Sequence, residues 1–174
     1  LGVAEDVNLP DKWSATENVA WKTDIPGIGW SSPIVWGDKV FVITAVSSDP
    51  KSVFRSGYYG DVDSAADLSK HTFKVYCLDK KTGKVQWEKV AYEGVPKTKR
   101  HIKSSFASST PVTDGKSVVA FFGSEGLFCY DFKGNLKWKQ DLGVLDSGWF
   151  FDPDYQWGTA SSPVIYKDLV SCSD

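Results

Sequence analysis

The chain sets short apolar runs between polar turns and nowhere sustains a helical period. Three segments share one outline: "SSPIVWGDKVF" from Ser31, "SSTPVTDGKSVVAFF" from Ser108 and "SSPVIYKDLVSC" from Ser161. In each, a Pro is followed seven positions later by a Val: Pro33 and Val40, Pro111 and Val118, Pro163 and Val170. A polar turn lies between them: Gly37-Asp38, Asp114-Gly115 or Lys167-Asp168. An apolar run, a tight turn and a second apolar run predict a β-hairpin. Runs such as "VFVIT" (40–44) and "VVAFF" (118–122) lack alternation, as strands covered on both faces do.

A second outline follows each full hairpin, "CLDKKTGKVQWEK" at 77–89 and "CYDFKGNLKWK" at 129–139. Gly83 to Gly134 and Trp87 to Trp138 are both 51 residues, and Pro111 to Pro163 is 52. Pro33 to Pro111 is 26 longer than that last interval, and Val40 to Cys77 exceeds Val118 to Cys129 by the same 26. One insertion within residues 45–72 accounts for both differences. Each full unit reads as four strands, about 107–112, 117–123, 126–131 and 135–140 in the second copy. Asp79 and Thr82 supply side-chain acceptors for a tight turn and Gly83 its positive φ, while Trp87 offers a flat apolar face to the next unit. The second copy keeps Asp131, Gly134 and Trp138 but lacks the Thr and is one residue shorter. The spacing therefore points to architecture rather than catalysis.

Four-stranded units of this period predict an all-β fold, a partial β-propeller in a single unit over 1–174. Residues 18–23, with Trp21, read as the last strand of a preceding blade. A blade over 31–90 carries the insertion 45–72, a second full blade occupies 107–140, and 160–172 form the first hairpin of a third. The chain has no Met, and its last residues "SCSD" put Ser171 where the other copies have Phe41 and Val119. Both features lead to the expectation of a fragment, completed by further blades of its own chain or by other copies.

The run from Cys77 to Trp87 resembles the tryptophan-docking motif Ala-x-Asp-x-x-Thr-Gly-Lys-x-x-Trp of quinoprotein-like propellers, with Cys77 in place of Ala. Over nearly its whole length the chain is similar to pyrroloquinoline-quinone-like β-propeller repeat proteins. That family includes quinoprotein alcohol dehydrogenases and the propeller lipoprotein of the outer-membrane barrel assembly machinery. The resemblance implies an exported bacterial protein, periplasmic or extracellular. It is compatible with a non-catalytic scaffold that contacts protein or small ligands at the channel face. The alternatives are part of an oxidoreductase using pyrroloquinoline quinone and Ca²⁺, and a fragment lacking a function of its own. The adjacent Cys-Cys pair of the alcohol dehydrogenases is absent, so no cofactor is expected.

Composition narrows the classes. A net charge of −2 gives no general case for nucleic acid, and no apolar run is long enough for a membrane span. Cys77, Cys129 and Cys172 lack metal-ligand spacing and come with only two His, His71 and His101, so they read as small buried apolar residues. No nucleophile–base constellation is evident, and no metal site is expected.

Candidate contact residues lie before the first strand of each blade, at the expected channel mouth: Trp30, Phe106 and Trp157. Such aromatics either stack on a ligand or pack between blades, the second being the commoner use. The basic run "KTKRHIK" (97–103), with Arg100 and His101, can receive an anion or form a solvated loop. The aromatic loop "DSGWFFDPDYQWG" (146–158), with Trp149, Asp152 and Asp154, is the best single contact surface. Its carboxylates suit turns better than Ca²⁺, lacking the series that ion requires. Within the insertion, Tyr58 and Tyr59 between Gly57 and Gly60 make a second candidate.

Overall fold

Pro33, Pro111 and Pro163 each stand directly before a short strand, where a missing N–H costs no ladder bond. A computed structural model describes residues 10–52, 64–65, 67–148 and 155–173. The first unit contains β1 (Ile34–Trp36), β2 (Lys39–Ser47), β3 (His71–Asp79) and β4 (Val85–Gly94). The second contains β5 (Val112–Thr113), β6 (Ser117–Phe121), β7 (Leu127–Asp131) and β8 (Leu136–Gln140). A hairpin of β9 (Val164–Tyr166) and β10 (Leu169–Ser171) follows. Each sheet is antiparallel with strands in chain order. There is no α-helix among the described residues, only a 3₁₀ turn at Gly123–Glu125.

The non-alternating strands are buried on both sides. Phe41, Ile43 and Ala45 of β2 pack with Phe73, Val75 and Cys77 of β3 against Val118, Ala120, Phe122 and Phe128 of the second sheet. On the opposite side, Val40, Tyr76 and Leu78 are covered by Ile25. The second sheet repeats the arrangement, with Val119, Phe121, Leu127 and Cys129 turned toward Ile165 and Val170 of the hairpin. Burying a side chain of this size contributes roughly 1.5–3 kcal/mol, so the faces between sheets hold the stack together.

Both sheets carry a bulge at the same place. Cys77 pairs with Trp87 and Leu78 with Val85, which leaves Gln86 unpaired. Cys129 pairs with Trp138 and Tyr130 with Leu136, which leaves Lys137 unpaired. A bulge bends its strand and re-aims the neighbouring side chain, here the Trp of each unit.

Several expected boundaries move. Residues 18–23 are not a strand, because no strand of the described residues lies beside them to share a ladder. The strand expected over 107–112 shrinks to Val112–Thr113. Its backbone bonds go sideways instead: the Trp30 and Ser31 N–H groups donate to the Ala107 carbonyl, and the Thr110 N–H to Ser162 Oγ. The insertion loses both ends to the sheet, since Ser47 pairs with His71, and β4 runs past residue 90 because Gly94 pairs with the same His71.

Candidate functional site

The turn after β3 is built as its residue types require. Asp79 Oδ1 accepts the N–H and the hydroxyl of Thr82, both at 2.8 Å, and Gly83 adopts φ +70°. In the shorter second turn Asn135 takes the place of Thr, donating its N–H to Asp131 Oδ1 and its side-chain amide to Asp131 Oδ2, each at 2.8 Å. An indole from the preceding segment lies on each turn. Trp21 Nε1 donates to the Lys80 carbonyl at 2.9 Å, and Trp87 Nε1 to the Phe132 carbonyl at 3.0 Å. The two acceptors are the residues next after Asp79 and Asp131. A Cβ on Gly83 would collide with the Trp21 ring, and one on Gly134 would stand 2.9 Å from Trp87 Cδ2. Trp138, the equivalent residue of the second unit, stays 38% exposed beside the β9–β10 hairpin.

Two further links between units escaped the sequence reading. Trp36 covers Gly115, where a Cβ would lie 2.6 Å from Trp36 Cζ2. The residue before each repeated Pro carries a hydroxyl. Ser32 N–H donates to Thr110 Oγ1 at 3.1 Å, and Thr110 N–H donates to Ser162 Oγ at 2.9 Å. The recurring Ser/Thr-Pro pair was the visible signal, but Pro drew attention to the strand start rather than to its neighbour.

The segments that precede the first strands converge at one end of the sheets. Ala65 N–H donates to the Arg100 carbonyl at 2.8 Å, His101 N–H to the Trp157 carbonyl at 3.2 Å, and Trp30 N–H to the Ala107 carbonyl at 3.0 Å. On this joined backbone Trp30 is 51% and Trp157 42% exposed. Phe106 is half-buried, its ring 5.0 Å edge-on from His71 and beneath the Arg100 guanidinium. Trp149, Asp152 and Asp154 lie outside the described residues, as do Tyr58 and Tyr59.

The basic run differs from the expectation of an exposed anion receiver. Arg100 is only 2% exposed, and its Nη1 donates to the Ser104 carbonyl at 2.7 Å and the His101 carbonyl at 3.3 Å. Burial lowers its proton affinity, and Asp67 opposes that effect. The Lys97 ammonium pairs with Asp141 at 2.7 Å, and its N–H is capped by buried Glu125 at 2.8 Å. Burial pushes the Glu125 carboxyl above its ordinary range. Of the run's named candidates, His101 is partly exposed, and its Nδ1 accepts the Lys103 N–H at 3.0 Å.

Behind Phe106 lies a polar knot that sequence reasoning missed. Asp67 accepts the hydroxyls of Ser52 at 2.6 Å and Ser47 at 2.8 Å, that of Ser69, and the Ser69 N–H at 3.0 Å. Burial alone would raise this carboxyl; the donors outweigh it and hold the group far below the usual carboxylate range. His71 Nδ1 donates to the Ser69 carbonyl at 2.9 Å, and its Nε2 faces Asp67 Oδ2 at 3.4 Å. With both ring nitrogens engaged within the knot, this Ser/His/Asp grouping offers no open base to a nucleophile. No group of three or more His, Cys, Asp or Glu suited to a metal occurs among the described residues.

Comparison with known proteins completes the picture. The family described as "Outer membrane protein assembly factor BamB" matches residues 12–144 and again residues 71–170. Overlapping matches are what a repeated unit produces. The crystal structure of BamB from Moraxella catarrhalis is similar with a TM-score of 0.54 at 18% identity, over 91% of this chain and 38% of that one. The chain thus spans well under half the length of that neighbour, and the likeness speaks of fold: a partial β-propeller. No curated protein matches the chain. By the extent of the family match, the chain belongs to the family described as outer membrane protein assembly factor BamB.

Proposed function

We propose that this protein is a non-catalytic binding scaffold of an exported bacterial protein, and that it contacts a protein or small ligand at the end where the segments before the first strands converge. The observation that carries the reading is the pair Trp30 and Trp157, exposed on backbone that hydrogen bonds fix across three successive units. Large aromatic rings on a rigid frame give contact area at little entropic cost. The family's description as an assembly factor supports a scaffold role and export. The exposed Trp138 supports completion by further blades or by other copies.

The test places a photo-crosslinking residue at position 30, 157 or 84 in the complete gene product in its host. Adducts with one discrete partner from positions 30 and 157, and none from 84, are expected. Adducts from none of the three, or equally from all, would overturn the reading. The scaffold reading requires no cofactor. Titration with pyrroloquinoline quinone and Ca²⁺ should leave tryptophan fluorescence unchanged, whereas saturable quenching would favour the oxidoreductase alternative.

A further inference from the structure

A cavity of about 220 Å³ lies between the first two sheets, bounded by the segment before β1, the end of β2 and the segment before β5. Its wall combines apolar surface from Ile28, Val46 and Phe106 with oxygen atoms from Ser47, Asp49 and Ser52. The polarity of those oxygens is set by where their hydrogens go. Ser52 gives its hydroxyl hydrogen to Asp67, and neither of its lone pairs takes a hydrogen bond from the described residues. Ser47 Oγ has Asp67 Oδ2 at 2.8 Å, Ser69 Oγ at 2.7 Å and the Asp49 N–H at 3.0 Å around it, so its three hydrogen-bonding directions are all taken within the knot. Asp49 Oδ1 accepts the Lys51 N–H at 2.8 Å, while its Oδ2 takes no hydrogen bond from the described residues. The cavity therefore presents acceptors.

The cationic groups in the wall do not reverse this. Arg100 Nη1 points at main-chain carbonyls, His71 Nδ1 donates to Ser69, and His71 Nε2 faces Asp67. A carboxylate ligand would meet lone pairs and one carboxylate. A divalent metal would find a single cavity-facing carboxylate where Ca²⁺ takes about six to eight oxygens. A donor with a short hydrocarbon tail satisfies both parts of the wall.

We infer that this cavity binds a small primary alkylammonium, its N–H donors on Asp49 and Ser52 and its chain along Ile28, Val46 and Phe106. The site is separate from the contact through Trp30 and Trp157, so either can fail without the other. The probe is n-butylammonium chloride, titrated at neutral pH into the ¹⁵N-labelled complete gene product, with sodium butyrate and CaCl₂ in parallel. Saturable shifts confined to residues around Val46, Ser52 and Phe106 are expected with butylammonium alone. Asp49→Asn keeps an acceptor for the Lys51 N–H and should weaken binding about tenfold or more while leaving the spectrum dispersed. If that variant fails to fold, Val46→Leu, which narrows the cavity without touching a polar group, should give the loss instead. No saturation, equal shifts with butyrate or Ca²⁺, or unchanged affinity in the folded variant would overturn the inference.

Discussion

Trp87 donates its indole N–H to the carbonyl of Phe132 at 3.0 Å, across the boundary between two sheets. The hydrogen bond fixes the ring edge, Gly134 receives the ring face, and Phe41 lies 6.0 Å from the ring centroid on the inner side. Since Trp21 makes the equivalent bond to Lys80, one device recurs at two successive joints.

Removing that ring should loosen the joint. Trp87→Ala is expected to cost about 3–5 kcal/mol in denaturant titration, against a few tenths for Lys84→Ala on the exposed turn. Trp87→Phe keeps most of the apolar area and loses the N–H bond, so an intermediate cost is expected. Equal effects of the first two variants would show that the ring does not hold the sheets together.

Backbone conformation and close approach can be separated with two glycines. Gly134 has φ +81° and lies under Trp87, whereas Gly143 has φ +77° with nothing within 4 Å of a built Cβ. Ala at either position pays the left-handed conformation, of order 1 kcal/mol. Only Gly134→Ala must also displace the indole, so it should lower the unfolding midpoint further. Matching midpoints would place the ring elsewhere in solution.

Asp67 predicts a pH dependence with a definite sign. Its folded-state value is depressed, so its contribution is present above the ordinary carboxylate range, near pH 4, and is lost as pH falls through the folded value. Stability should therefore decline on acidification, and Asp67→Asn should be less stable at neutral pH with a flatter acid limb. A parallel acid limb in the variant would remove Asp67 from the account.

The thiols give a reactivity order. Burial pushes Cys77 up to about 11 and raises Cys129 as well, so both stay protonated and enclosed at neutral pH. Cys172 is partly exposed. Iodoacetamide should label Cys172 first and reach the other two only as fast as the sheets open. Early labelling of Cys77 would contradict the packing.

Self-association is the last expectation. Val164, Tyr166 and Leu169 are each at least 60% exposed on the face of the β9–β10 hairpin opposite Ile165 and Val170, an apolar surface that isolated soluble domains seldom leave bare. Sedimentation of residues 1–174 alone should show concentration-dependent mass. A stable dilute monomer with cooperative unfolding would count against it.

The repeat interval, the hairpin turns and the two indole positions were all readable from spacing, because turn chemistry and strand burial are local demands on residue type. The Asp79 and Asp131 turns show how far that goes: Gly at the left-handed position is dictated by the chain itself, whichever sheet lies opposite. The carbonyl that receives each indole, the hydroxyl of Thr110 that receives the N–H of Ser32, and the burial of Arg100 behind Phe106 were decided only in three dimensions. The gathering of Ser47, Ser52, Ser69 and His71 around Asp67 belongs with them. Such contacts join residues far apart along the chain, or turn a charge inward where local composition reads it as solvated, and no periodicity encodes which partner a closed backbone will bring within reach.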